Sequence, residues 1–213
     1  MAPPMIIAMK GHPGTGKSTL ARSIATALSL PLLDKDDIRD STLPLQRALT
    51  LSLNSPAQAS SLLNDLSYAA IWSVVATQLR LGHSLVVDSP LSRRAHLDRL
   101  LHMASLHDAR LVIVESKPGD EAEWRRRLEC RGDANRAGDG DGEEAGGWHK
   151  PATWRDMERL MEGYAGCTEY DVGEVPRIVV DTTSVGELVS GVLEFIESCG
   201  GPSLDKKLKS TCS

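Results

Sequence analysis

Gly11-His12-Pro13-Gly14-Thr15-Gly16-Lys17-Ser18 is the stretch whose reading decides the fold. Its spacing is G-x-x-x-x-G-K-[ST], and its flanks are what that spacing requires. Before it, Met5-Ile6-Ile7-Ala8-Met9 is a continuous apolar run, as expected of a strand buried on both faces. After it, Leu20, Ile24, Ala27 and Leu28 recur at helical spacing. The residue types state the chemistry. Glycines let the backbone curl so that successive N–H groups point inward at an anion. The N-terminus of the following helix adds partial positive charge. Lys17 supplies a mobile ammonium for the β- and γ-phosphates, and Ser18 a hydroxyl for Mg²⁺. Thr19 is a candidate contact near the α-phosphate. His12 and Pro13 occupy variable positions and count as loop residues, with no chemistry assigned to their side chains.

Outward from the loop, apolar runs alternate with helical patterns. Leu30-Pro31-Leu32-Leu33 reads as a second strand, running into the acidic turn Asp34-Lys35-Asp36-Asp37-Ile38-Arg39. A long helix is expected over 56–81, apolar near positions 62/63, 66, 70 and 74, with Gly82 at its end. Ser84–Asp88, Arg110–Glu115 and Arg177–Asp181 read as strands three, four and five. Ser92 is the expected cap of the helix after strand three. Asp120 with Glu123, Thr153 with Asp156 and Ser184 with Glu187 are capping pairs for later helices over 121–131, to about Tyr164 and to about Ser198. Residues 132–147 are rich in Gly, Asp and Glu without apolar periodicity, and read as a mobile loop. The implied fold is α/β, a five-stranded parallel sheet with helices on both faces. It forms one domain over 1–198, with a small mobile lid at about 125–153 and a polar tail over 199–213.

In an open parallel sheet, ligands sit beyond the carboxyl ends of the strands, so the acidic turn belongs beside the phosphate loop. Asp36 there has two readings: a carboxylate that accepts or orients an acceptor hydroxyl, or a cap of the next helix. Leu85-Val86-Val87-Asp88 is an apolar strand ending in an acid, a pattern whose acid usually reaches Mg²⁺ directly or through water, and Asp88 is a candidate site residue whose partner, Mg²⁺ or the acceptor, is left open. Arg127 and Arg131 are four apart, on one face of the helix before the loop.

With these pieces the chain resembles the small P-loop kinases that include polynucleotide 5′-hydroxyl kinases, zeta toxins, chloramphenicol phosphotransferase and gluconate kinases. Asp36-Asp37-Ile38-Arg39 resembles the Asp-Asp-x-Arg of the polynucleotide-kinase branch. The resemblance implies Asp36 as general base and Arg39 as a phosphate or substrate ligand. It implies Arg127 and Arg131 as lid arginines that stabilise the transferring group, with Asp181-Thr182-Thr183 near the nucleotide base. Trp148–Trp154 is an aromatic cluster beside the lid. Its His149 and Lys150 either close over the phosphates or acceptor or belong to a hinge packed by Trp154.

Composition narrows the function. Formal charge is −5 and aromatics are 4% of the chain, so neither a basic nucleic-acid track nor a set of base-stacking platforms is in evidence. Cys130, Cys167, Cys199 and Cys212 are widely spaced and form no CxxC pair, which favours free thiols over zinc. The first apolar run is too short for a signal or a membrane span. The expectation is a cytoplasmic, Mg²⁺- and ATP-dependent kinase of a small-molecule hydroxyl acceptor, a monomer or weak homodimer. The alternatives are a polynucleotide 5′-hydroxyl kinase and an ATP-hydrolysing regulatory module.

Overall fold

Why the apolar runs become strands is visible in where they lie. The computed structural model describes residues 3–137, 150–183 and 188–203, and for 131–137 the backbone alone. Strands β1 (Met5–Lys10), β2 (Leu32–Asp34), β3 (Leu85–Asp88), β4 (Arg110–Lys117) and β5 (Arg177–Asp181) form one sheet in the order β2-β3-β1-β4-β5. Every pairing is parallel. β1 is central and covered on both faces, so all six of its residues are buried. Its side chains alternate between two cores, as a period-two strand must. Ile6 and Ala8 pack with α4 (Pro56–Arg80) and α5 (Arg94–Leu106), against Ile71, Val75, Leu97 and Leu100. Met5, Ile7 and Met9 pack with α1 (Lys17–Leu28) and α8 (Leu188–Ser198), against Leu20, Ile24, Val192 and Ile196.

The chain leaves β1 for the β3 side of the sheet and later returns to its β4 side, so the strand order reverses at β1. The loop after β1 therefore opens onto the switch-point crevice. Because the strands are parallel, the turns after β2 and β3 meet the same edge.

Several local expectations change. The helix expected over 121–131 runs on as α6 (Glu121–Ala137), so 132–137 are helical; the remainder of the expected loop, with Trp148 and His149, lies outside the described residues. α4 lies where expected but buries a different stripe. Leu63, Tyr68, Ile71, Trp72, Val75 and Leu79 face the core, while Leu62, Leu66 and Val74 are 50%, 49% and 40% exposed. In a 25-residue helix apolar on several sides, sequence does not single out the buried face. α2 (Lys35–Asp40) and α3 (Leu43–Leu53) fill the span after the acidic turn, and α3 buries none of its residues. The N-cap of α5 is Arg93 rather than Ser92, with no side-chain cap bond. Asp120 accepts from the backbone N–H of Ala122, but Glu123 turns outward to Arg126 and Arg127 instead of closing a capping box. Thr153 and Asp156 do form the reciprocal box expected of them, opening α7 (Trp154–Tyr164). The expected Ser184–Glu187 pair lies outside the described residues, as does Cys212; Cys130, Cys167 and Cys199 are free thiols. Among the described residues no helix is long and apolar enough to cross a membrane.

His96 of α5 stacks on Tyr68 of α4 at 4.0 Å between ring centroids, and its Nδ1 is buried without a hydrogen-bond partner among the described residues. Burial first, and then Arg93, push its pKa down to about 4. Between about pH 6.5 and pH 4 the unfolded chain therefore binds a proton that the folded chain does not, so stability is lost as pH falls through that window. His96→Phe is expected to flatten the dependence of the urea midpoint on pH between 4 and 6.5; an unchanged slope would contradict this account.

Candidate active site

The loop from Gly11 to Ser18 takes its shape from three positive φ angles: Gly11 at 149°, Gly14 at 81° and Gly16 at 80°. Gly11 and Gly14 are also sterically tight. A Cβ on Gly11 would sit 2.8 Å from the Ser116 carbonyl oxygen, and one on Gly14 would meet the Trp124 indole at 3.2 Å. Gly16 is the left-handed N-cap of α1, with no side-chain cap and no acidic residue in the first turn. Such a helix start presents its N–H groups and positive dipole end to an anion. Thr15 braces the loop from within, its hydroxyl donating to the His12 carbonyl at 2.8 Å.

Lys17 is buried, and its ammonium donates to Asp88 Oδ1 at the end of β3. The pairing Met9↔Asp88 explains the contact, because it sets the Asp88 carboxylate directly under the loop that leaves β1. Asp88 Oδ2 is buried and accepts no hydrogen bond among the described residues. Asp34, opposite Asp88 on β2, has its pKa raised to about 6 by burial and then by the Asp88 charge.

The acidic turn removes the capping reading of Asp36. The N-cap of α2 is Asp34, whose Oδ1 accepts from the Asp36 N–H at 2.9 Å. Asp36 itself sits in the first turn and lines the cavity described below, paired with Lys150 at 2.8 Å and with Lys35 at 3.5 Å. Arg39 is not brought to the cavity. It is 2% exposed, and it donates to Thr42, Gln46 and Ser60, where it ties α2 to α3 and α4. One helical turn beyond Lys35, at the far end of α2, Arg39 is carried away from the sheet edge and into the contact with α3 and α4, which spacing within a motif does not reveal.

α6 closes the other side. The Trp124 indole N–H donates to the Pro13 carbonyl at 2.9 Å, and the ring stacks near His12 at 6.0 Å and meets Trp154 edge-on at 5.1 Å. Arg127 donates to the Thr182 carbonyl at 2.8 Å and to Glu123 at 2.7 Å, and lies beside Gly16. Thr182 in turn donates its hydroxyl to the Thr15 carbonyl. The side chain of Arg131 lies outside the described residues.

These elements enclose a cavity of about 610 Å³, within the usual size of small-ligand sites. Gly11, His12, Pro13, Gly14, Gly16, Lys17, Ser18 and Thr19 line it, together with Asp36 and Arg127. Thr15 and Asp88 are buried behind that surface. Thr182, Leu188 and Val189 form an apolar corner next to Arg22, and Lys35, Asn64, Lys150 and Tyr164 the opposite end. Lys35, Asn64, Trp124 and Tyr164 were not legible as site residues; Trp124, in a chain with four Trp, was the one with a compositional signal.

A family model described as an AAA domain matches residues 6–146. No curated protein matches the sequence. Among solved structures, a kinase candidate from Chloroflexus aurantiacus j-10-fl superposes with a TM-score of 0.66 at 21% identity, covering 92% of this chain and 97% of that one. A gluconokinase from Sinorhizobium meliloti 1021 gives 0.56 at 20%, covering 100% of both chains. Shikimate kinase from Aquifex aeolicus vf5 gives 0.54 at 15%, covering 92% of this chain and 98% of that one. At these identities the likeness is one of fold.

Removing Lys17 strands a buried carboxylate, a loss of about 3–5 kcal/mol for a pair of this kind. Lys17→Ala is therefore expected to lose nucleotide binding and to lower Tm. Adding Asp88→Asn is expected to restore most of the Tm but none of the binding, as measured by thermal melts and titration calorimetry with a non-hydrolysable triphosphate.

Proposed function

The chain belongs to the AAA domain family, and from that premise we propose that it is an ATP-dependent kinase that moves the γ-phosphoryl group to a hydroxyl of a small molecule. One observation carries the reading: a glycine-shaped anion loop, a guanidinium and a carboxylate from a different strand end line a single cavity. A triphosphate on the loop would lie along the N–H groups before α1, with Lys17 exchanging Asp88 for phosphate oxygens and Arg127 facing the transferring group. The corner of Leu188, Val189 and Thr182 suits the apolar face of a nucleotide base. In the reaction, the acceptor hydroxyl gives its proton to Asp36. Its oxygen bonds to the γ-phosphorus as the bond to the β–γ bridging oxygen breaks, and ADP leaves. Most of the rate would come from positioning and from charge placed where it develops.

Mg²⁺ fits the donors present. Ser18 offers a hydroxyl and Asp88 a carboxylate oxygen with no partner among the described residues, both hard ligands of the kind Mg²⁺ takes alongside phosphate oxygens. Among the described residues no group of three or more His, Cys, Asp or Glu side chains could hold a metal; on this reading the substrate phosphates would supply most of the coordination. When bound, the ion would neutralise charge on the β- and γ-phosphates.

Arg39 carries no catalytic role in this reading; its contacts support α2, on which Asp36 rides. The net charge of −5 disfavours a polynucleotide acceptor.

Asp36→Asn keeps the size and polarity of the side chain but cannot take a proton. Phosphoryl transfer is expected to fall by about 10²–10⁴-fold, with the dissociation constant for ATP within about twofold of wild type. Full transfer by this variant in a γ-labelled ATP assay would reject Asp36 as base.

A further inference from the structure

The charges that line the cavity are lopsided. Among the described residues they are Lys17, Arg22, Lys35, Arg127 and Lys150 against Asp36, in a chain whose net charge is −5. Two of the five cations stand where a triphosphate would lie, Lys17 on the loop and Arg127 over Thr182 and Gly16, and Arg22 of α1 lies beside the apolar corner. Lys35 and Lys150 stand at the opposite end, one on each side of Asp36, at 3.5 Å and 2.8 Å from its carboxylate oxygens.

Two ammoniums sharing one carboxylate leave a unit of positive charge over. Lys35 makes this costly, because it is only 5% exposed. Its other contacts are with neutral groups, the Asn64 side-chain oxygen at 3.2 Å and the Tyr68 ring at 5.3 Å, and Arg39 adds like charge nearby. Burial, ahead of every other influence, pushes its pKa down. A charge held out of water at such a cost is stable where an anion completes its shell. Lys150 bears on the chemistry directly, since a carboxylate bound by an ammonium must loosen that contact before it takes a proton from a hydroxyl.

We infer that the acceptor carries a carboxylate or a phosphate monoester beside its reacting hydroxyl, and that Lys35 and Lys150 bind this anion and thereby turn Asp36 toward the hydroxyl. This rests on the phosphotransfer reading above. The acceptor's anion takes up the surplus charge, Lys150 exchanges part of its contact with Asp36 for the ligand, and the freed carboxylate oxygen meets the hydroxyl. A neutral polyol brings no anion to make that exchange, so it leaves the base paired. Lys150 is thus a specificity residue, and it couples recognition of the right acceptor to the release of the base.

The test uses the full-length protein, γ-labelled ATP and matched acceptors: neutral aldoses and polyols, the corresponding hydroxy acids, and their phosphate monoesters. An anionic set is expected to exceed its neutral counterparts by about 100-fold in kcat/KM, and whichever of the two anionic sets does so identifies the group. Lys150→Gln is expected to raise KM for the anionic acceptor about tenfold or more, with KM for ATP within about twofold, and Lys150→Arg to recover part of the loss. Lys150 is chosen because its side chain is partly exposed, so the variant folds; Lys35→Gln, followed by thermal melts, is the second variant. Equal use of neutral and anionic acceptors, with Lys150→Gln slowing both alike, would overturn the inference and leave the kinase reading standing. ATP binding without labelled product from any acceptor would overturn the kinase reading, and the inference with it.

Discussion

The end of β1 is held from both sides by buried ion pairs, and the rest of the site depends on that clamp. Toward β3, Lys17 reaches back across the phosphate loop to Asp88, the partner of Met9 in register. Toward β4, Lys10 meets Glu115, its own register partner, at 2.7 Å, and Arg177 of β5 adds a contact at 3.2 Å. Charges this deep are tolerable only when paired, since an unpaired partner costs several kcal/mol. The two pairs therefore limit how far the loop can drift from the strand ends. Between them lie six residues that must turn the chain from strand to helix, and three are glycines at positive φ.

The Lys17–Asp88 pair also says something about the state before nucleotide arrives. Lys17 has its charge satisfied internally, so on the proposed reading binding phosphate would be an exchange of one anion for another rather than the filling of an empty place. Asp88 Oδ1, released by that exchange, would then be available beside Ser18. This economy suits a site that must be stable both empty and loaded, because neither state leaves a buried charge alone.

α6 is better understood as a wall than as a freely swinging lid over its first three turns. Trp124 is bonded to the loop carbonyl of Pro13, and Gly14 has no side chain to keep the indole away. Arg127 is fastened to Thr182, which is fastened to Thr15. The β5 edge, the helix and the phosphate loop thus form one closed circuit of hydrogen bonds. On the far side of the cavity, α2 is positioned by the buried guanidinium of Arg39, which holds it to α3 and α4. Among the described residues, the loop side and the α2 side of the cavity are anchored by separate hydrogen-bond networks.

Residues 5–18 alone were enough for a strand buried on both faces and a candidate anion loop, because an apolar run and a loop of glycines at fixed spacing are local patterns with local causes. The same holds for Thr153 and Asp156, whose capping box needs only four neighbouring residues. The parallel sheet followed from the alternation of strands and helices along the chain. Direction was not local. Whether Arg39 faces the cavity or the α3–α4 contact, and which stripe of α4 is buried, depends on how the helix is rotated against neighbours far away in the chain. Lys35, Asn64 and Trp124 entered the site only through contacts spanning 29 to 111 residues, such as Lys35 with Asn64 and Trp124 with Pro13. Sequence determined which groups can bind phosphate, since that chemistry is carried by residue type and spacing. Tertiary structure decided which other groups stand around it, since side-chain direction is settled by packing.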